Sequence, residues 1–407
     1  MMKHYCMIGT GVAAVNAAKA IRDVDKEAHI SLFGAEKSLP YNRIKLSKEL
    51  FSDLRSEKVL LKKEKWYEMQ NIRTYPNTKI VRINTGDHLL LTKTGDTIPY
   101  DKLLICTGAK NRRLPVNGVD RRGVFTIREM HEAEDFKAFI EDKASIVNIG
   151  GGIQGLETAW SILQAGKKVS IVEVAPRLMA RQLDEKTSTL LKRKIEEAGV
   201  DIYLNASIKE IVGDDQVKGI VLNDQLISCD SVIYSIGVVP NLDLVENTTI
   251  QTNRGIIVNE KMETNIQDVY AAGDVTELHG EVEGLWGRAM DQGKVAGKNM
   301  ASATELYEKT TPFTVFNAFN MSLFSIGMVD EGLCDTTIID EDGDEKYTRI
   351  FIKDEKIVGV ISLEGIVASA PYKMAIENKI SLNGISLDTV SVKELMSLVK
   401  ERLSQPA

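Results

Sequence analysis

A glycine fingerprint that occurs twice, each time between a strand-like run and a helical pattern, constrains this chain more than any other feature. The first copy, Gly9-x-Gly11-x-x-Ala14, follows His4–Ile8 and opens a helical stretch from Val12 to Arg22, with His29–Phe33 reading as the next strand. The second, Gly150-x-Gly152-x-x-Gly155, follows Ser145–Ile149 and leads into a helical pattern from Leu156 to Ala165, closed by Gly166, with Val169–Val172 as the returning strand. Strand, glycine turn, helix and strand make the βαβ unit that binds dinucleotides. Its glycines let the backbone approach a pyrophosphate, and the unpaired N–H groups at the helix start attract the negative charge.

A turn of this kind also serves as a plain strand-to-helix connection, so the acids downstream carry weight. Glu36 lies just past the second strand of the first unit and Glu173 at the end of the corresponding strand of the second. A carboxylate there accepts hydrogen bonds from both adenosine ribose hydroxyls. Glu173 points to NADH rather than NADPH, because it repels a 2′-phosphate. Arg177 is four residues on; it reaches such a phosphate if the loop folds back, and otherwise reads as a surface ion-pair partner.

A chain of 407 residues, 43% of them hydrophobic, has room for two or three cores. Its formal charge of -7 argues against a nucleic-acid surface, and its lysines and arginines are too dispersed in sequence to map a docking face. No apolar run approaches the roughly eighteen residues of a membrane span, so a soluble, cytoplasmic protein that does not contact the membrane is expected. The four cysteines, Cys6, Cys106, Cys229 and Cys334, are far apart, with no CxxC pair and no zinc-ligand cluster, so no metal is expected.

With two fingerprints in hand, much of residues 1–308 resembles the two-dinucleotide-binding-domain flavoproteins, the FAD/NAD(P)-dependent pyridine nucleotide-disulfide oxidoreductase superfamily. Val269-Tyr-Ala-Ala-Gly-Asp-Val275 resembles the second FAD signature, which implies FAD contacts at Gly273 and Asp274, the aspartate on the ribityl chain. Leu104-Ile-Cys-Thr-Gly-Ala109 resembles the strand-turn ending the first FAD segment, adding Thr107 and Gly108, and Gly237-Val-Val-Pro-Asn241 its counterpart where the chain returns from the NAD domain. Pro40–Lys48 is similar to the segment lying along FAD in NADH:rubredoxin reductases, nitrite-reductase flavin domains and oxygenase-coupled ferredoxin reductases, with Arg43 and Lys48 at its basic positions. Leu285–Gly293 resembles the last FAD contact, with Trp286 beside the ring or in plain core packing, and Ile80 matches a backbone contact to adenine. Glu157 corresponds to a residue near the nicotinamide and the flavin, and reads equally as a first-turn acid favoured by the helix dipole.

The resemblance implies an α/β fold: an FAD domain from residues 1–110 and 235–308, an inserted NAD(P)H domain at 111–234, and a small α+β C-terminal domain at 309–407. The expected FAD set is Gly9, Gly11, Ala14, Glu36, Arg43, Lys48, Ile80, Thr107, Gly108, Gly273, Asp274 and Trp286. The NAD set is Gly150, Gly152, Gly155, Glu157, Glu173 and Gly237, and Lys48 and Glu157 are the candidate catalytic residues. Disulfide reductases need an activated thiolate or two neighbouring sulfurs, and no cysteine occurs between Cys6 and Cys106, so electrons are expected to leave the flavin directly. The expected activity is NADH-dependent reduction of a small carrier of the rubredoxin or ferredoxin type. Alternatives are an electron donor in a nitrite-reducing system, an NADH oxidase, or a redox sensor with little turnover.

Overall fold

A computed structural model describes residues 2–343 and 346–404. The chain divides into two compact units, each drawn from three stretches. The first comprises the chain up to Arg113, Thr126–Lys137 and Ile236–Lys309; the second comprises Leu114–Phe125, Ala138–Ser235 and the stretch beginning at Thr310.

The first unit is built on a parallel sheet in the order Val269–Ala271, Lys102–Ile105, His4–Ile8, His29–Phe33, Ile72–Tyr75. His4–Ile8 is buried from Tyr5 onward, because a strand central to a parallel sheet is covered on both faces. From it the chain runs outward on one side and resumes on the other with Lys102–Ile105, so the strand order reverses beside Gly9 and opens a crevice at the carboxyl ends. Gly9 has φ +118°, and a Cβ there would stand 2.2 Å from the Cys106 carbonyl oxygen, which excludes any larger residue. The helix Val12–Val24 that follows packs on the helix Trp286–Met300. At that crossing a Cβ on Gly293 or Gly297 would lie 2.2 or 2.3 Å from the carbonyl oxygen of Ala13 or Ala17, so the small residues set how closely the helices approach.

The second unit repeats the plan with parallel strands in the order Asp201–Tyr203, Lys168–Val172, Ser145–Ile149, Ser231–Tyr234, Val124–Phe125. Each unit also inserts a three-stranded antiparallel meander just before the last but one (first unit) or the last (second unit) of its parallel strands along the chain. These are Ile80–Asn84, Leu89–Thr92 and Thr97–Pro99 in the first, and Ile208–Gly213, Val217–Leu222 and Gln225–Ser228 in the second. The second unit adds a five-stranded antiparallel sheet, Phe313–Ala318, Met321–Gly327, Lys356–Ser362, Lys346–Lys353 and Thr336–Asp342, with the helices Ser369–Glu377 and Val392–Ser404.

Three details depart from the sequence reading. The second fingerprint helix starts at Ile153, not Leu156, because Gly152 already serves as its N-cap and Gly155 sits inside its first turn. Residues 235–240 and 269–274 both read in the sequence as strands returning to the first domain, yet the former yields Val238–Pro240, which pairs antiparallel with Ala109–Asn111, and only Val269–Ala271 enters the main sheet. Tyr347–Ile352 and Ile357–Ser362 read as strands in the sequence, and the C-terminal sheet adds Phe313–Ala318, Met321–Gly327 and Thr336–Asp342 to them. Among the described residues no helix is long and apolar enough to cross a membrane.

Candidate functional site

Both glycine turns present the same local chemistry. The N–H of Gly9 donates to Phe33 O at 2.9 Å and that of Gly150 to Val172 O at 2.8 Å, fixing each turn against the next strand. Gly11 and Gly152 are the N-caps of their helices, neither supplies a side-chain cap, and a Cβ on either would meet nothing within 4 Å. Each helix therefore offers its first N–H groups and the positive end of its dipole to open space, which fits a pyrophosphate at both positions.

At the third position the two turns differ. A Cβ on Gly155 would come 2.0 Å from Gly150 O, whereas Ala14 carries its methyl fully buried in the corresponding place. The first helix thus has room for one carbon that the second lacks.

The acids are held differently as well. Glu36 Oε1 accepts from Arg43 Nη2 at 2.5 Å, and Oε2 accepts from the Tyr41 hydroxyl at 2.7 Å and the Met130 N–H at 3.2 Å. A carboxylate has about four lone-pair positions, so one is left where the sequence reading asked for two. Burial and the neighbouring Glu36 push the Tyr41 hydroxyl above its ordinary range, against the pull of Arg43, and it remains a donor at neutral pH. Glu173 accepts from the N–H groups of Gly151 at 2.6 Å and Ala175 at 2.8 Å and keeps two positions for a ribose. Arg177 Nη2 donates to the carbonyls of Ala180 at 2.9 Å and Leu183 at 3.5 Å, so its loop carbonyls, not a surface carboxylate, hold it.

The other expected FAD residues fall in the first unit, Arg43 at the ribose acid as described. Thr107 and Gly108 are tied to Asn241 by three hydrogen bonds: Thr107 Oγ1 to Asn241 O, Asn241 Nδ2 to Thr107 O, and Asn241 N to Gly108 O, at 3.1, 3.0 and 2.9 Å. Gly237, counted from sequence with the nicotinamide residues, also lies in this unit, where its carbonyl accepts from the Arg112 N–H. Asp274 accepts from Arg128 Nη2 at 2.6 Å, and the Gly273 N–H beside it donates to Gln292 Oε1 at 2.8 Å. Trp286 is the first residue of its helix, half-buried against the core. Ile80 is buried at the start of the meander, and the preceding Asn77 and Thr78 N–H groups donate to Glu36 O and Gly34 O. Lys48 is exposed at the end of the short helix Lys45–Lys48. In the second unit Glu157 is buried in the first turns of Ile153–Gln164.

Sequence reasoning missed Tyr41, Arg128, Met130, Glu283 and Gln292. Tyr41 and Gln292 lie inside segments it had singled out. Glu283 accepts from Arg288, Gln292 and the Tyr307 hydroxyl, and so braces the helix residue that holds the Gly273 turn. Arg128 gives no local signal, since it meets Asp274 across 146 positions of sequence. Burial pushes the thiols of Cys6 and Cys106 upward and that of Cys229 up to about 12, so none of the three is a thiolate nucleophile at neutral pH.

Comparison with known proteins agrees with this geometry. Residues 3–293 match the family described as pyridine nucleotide-disulphide oxidoreductase, and residues 312–380 match the rubredoxin NAD+ reductase C-terminal domain. The chain is 32% identical to an NADH-rubredoxin oxidoreductase of Clostridium acetobutylicum, over 94% of this chain and 97% of that protein. The crystal structure of that organism's NADH:rubredoxin oxidoreductase superposes with a TM-score of 0.80 at 30% identity, covering 98% of this chain and all of that one (100%). The chain is also 35% identical, over 88% of its length, to a nitrite reductase [NAD(P)H] of Bacillus subtilis, of which it spans 45%. Two dinucleotide folds in one chain, each with its glycine turn and acid, together with these matches, establish that the chain belongs to the pyridine nucleotide-disulphide oxidoreductase family and is an NAD(P)H-dependent oxidoreductase.

Proposed function

We propose that this protein binds FAD on the first unit and NADH on the second, and passes the electrons to a small carrier protein of the rubredoxin or ferredoxin type. The observation that carries the reading is the pair of uncapped glycine turns, each backed by a carboxylate, in a chain that continues into a rubredoxin-reductase C-terminal domain. When bound, FAD supplies the conversion from two-electron to one-electron chemistry: NADH leaves as NAD+, two carriers gain one electron each, and one proton is released.

The residues of the chain bind and orient. Gly9, Gly11 and Ala14 shape the first pyrophosphate turn, Glu36 receives a ribose hydroxyl, and Asp274, set by Arg128 and by the Gln292 brace on Gly273, faces the ribityl chain. Ile80, Thr107, Gly108 and Trp286 line the remainder, and Arg43 and Lys48 offset negative charge on the cofactor. Gly150, Gly152, Gly155 and Glu173 hold NADH, with Glu157 and Gly237 toward the nicotinamide. The two open positions on Glu173 favour a free 2′-hydroxyl. The three-domain division given by the resemblance, with the C-terminal domain distinct, and a cytoplasmic location belong to the same reading. The four free thiols suit a reducing compartment.

Anaerobic stopped-flow mixing with NADH and, separately, NADPH tests this. Rapid bleaching of a bound flavin by NADH, followed by fast reoxidation with a rubredoxin or ferredoxin, is expected. Absence of bound flavin, or reoxidation by oxygen alone, overturns the reading in favour of a sensor or an oxidase.

A further inference from the structure

The backbone of Gly150 and Gly151 is hydrogen-bonded at every polar group, in one case by a residue outside the fingerprint. Gly150 donates its N–H to Val172 O at 2.8 Å, and Gly151 O accepts from the Met179 N–H at 2.9 Å. Between them the Gly150–Gly151 peptide is held at both ends: its carbonyl accepts from Asn148 Nδ2 at 3.1 Å, and its N–H donates to Glu173 Oε2 at 2.6 Å. A peptide unit is planar, so its two ends turn together. Gly150, at φ +120°, has no side chain to resist that turning. The bond to an ionised carboxylate also polarises the peptide and strengthens its carbonyl as an acceptor, which couples Asn148 to Glu173 across the plane.

The place of Asn148 in the fold does not call for an amide. It lies in Ser145–Ile149, the middle strand of the parallel sheet, and is 1% exposed. Gly150 O can only accept, so the amide nitrogen faces it, and Oδ1 has no hydrogen-bond partner among the described residues. An apolar side chain would not carry the cost of that buried acceptor. Room for the amide comes from Gly155, where a Cβ would stand 3.1 Å from Asn148 Nδ2. The first turn does without the device. Met7 precedes Gly9 by two residues, as Asn148 precedes Gly150, and Gly9 O accepts from the Cys106 thiol, a weak donor, at 3.8 Å. Glu36 takes its donors from Arg43, Tyr41 and Met130. The amide therefore accompanies the acid that the turn itself holds, and not the acid that other segments clamp.

We propose that Asn148 is a positioning residue for nucleotide recognition: by holding the carbonyl of the Gly150–Gly151 peptide it aims the N–H at Glu173, and so sets how that carboxylate presents its two open positions to the adenosine ribose and disfavours a 2′-phosphate. The inference rests on the NADH site proposed above. Its test uses flavin-loaded protein and isothermal titration calorimetry with NAD+ and, separately, NADP+, on wild type, Asn148→Val, Glu173→Gln and the double variant, beside the flavin spectrum and the urea midpoint. Asn148→Val is expected to lower the preference for NAD+ over NADP+ by about fivefold, the worth of one hydrogen bond, with the flavin spectrum unchanged. Beside Glu173→Gln the same substitution should change the preference by less than about twofold, because the charge whose placement discriminates is gone. If Asn148→Val leaves the preference unchanged, whatever it does to the urea midpoint, or alters it as much beside Glu173→Gln as alone, the amide only satisfies a buried carbonyl; the proposal falls and the NADH site stands. If wild type binds neither nucleotide, or prefers NADP+, that site falls and the proposal with it. Should Asn148→Val not fold, Asn148→Ala, which removes the same donor without adding a branch, decides between the same outcomes.

Discussion

Behind the first glycine turn lies a helix, and behind the second a sheet. Val12–Val24 is covered by Trp286–Met300 through an Ala13–Ala17 and Gly293–Gly297 contact, whereas Ile153–Gln164 meets the strand Phe313–Ala318, with Trp160 and Phe319 ring centroids 5.0 Å apart. The turns themselves share strand order and the hydrogen bond to the neighbouring strand. They differ where the ligand is recognised. Glu36 is clamped by three donors and has one acceptor position left; Glu173 is held by two backbone N–H groups and keeps two. On the proposed reading, a rigid, largely prearranged acid serves a cofactor that stays bound, and a more open one serves a nucleotide that leaves every turnover. The same fingerprint therefore fixes phosphate chemistry but leaves residence time to the neighbours.

Six substitutions break or sharpen that comparison. The largest effect is expected from Gly150→Ala, where φ is +120° and the new Cβ would lie 2.4 Å from Ser235 O; strain and overpacking together cost at least about 3 kcal/mol, read as a lower urea midpoint or loss of folded protein. Gly9→Ala should match it, since the turns agree there.

Next comes the cover of the second fold. Asp184 caps the helix Glu185–Glu197 and also accepts from the Tyr347 hydroxyl at 2.6 Å and Arg349 at 3.2 Å, buried between the dinucleotide fold and the C-terminal sheet. Burial works against its charge, but the hydrogen bonds from Tyr347, Thr187 and Arg349 outweigh it and hold the carboxyl below its usual range. Asp184→Asn should cost roughly 3 kcal/mol in urea unfolding at pH 7. Because the folded pKa is depressed, that contribution is present above the unfolded value of about 3.9 and is lost as pH falls through the lowered folded value. The gap between wild type and variant should hold down to about pH 4 and close only below it; a gap that closes near neutrality would point to a histidine instead.

At the third fingerprint position Gly155→Ala should cost about 2 kcal/mol from its contact with Gly150 O and weaken NADH binding while flavin is retained. Ala14→Gly should cost only about 1 kcal/mol, the helix propensity difference, and equal losses at the two sites would erase the distinction drawn between the helices. The smallest effect concerns the open acid: Glu173→Gln should raise the KM for NADH by about tenfold, narrowing the preference over NADPH, with the flavin spectrum unchanged.

Much of this was legible in the sequence because it is local. His4–Ile8, His29–Phe33 and Ser145–Ile149 begin and end where their apolar runs do, and the glycine spacing identifies both phosphate turns, since a backbone that bends sharply and approaches a charge admits no side chain. The acids at 36 and 173 follow from strand length. The partners of those acids did not follow in the same way: Met130 reaches Glu36, and Arg128 reaches Asp274, through an excursion of the chain back into the first unit, and no short-range pattern encodes a contact between residues so far apart. By itself the sequence determined two dinucleotide folds and the chemistry of their turns, because steric limits and hydrogen-bonding needs act over a few residues. Only the tertiary structure decided how each acid is held and what covers each helix, because those depend on which distant segments the packing brings together.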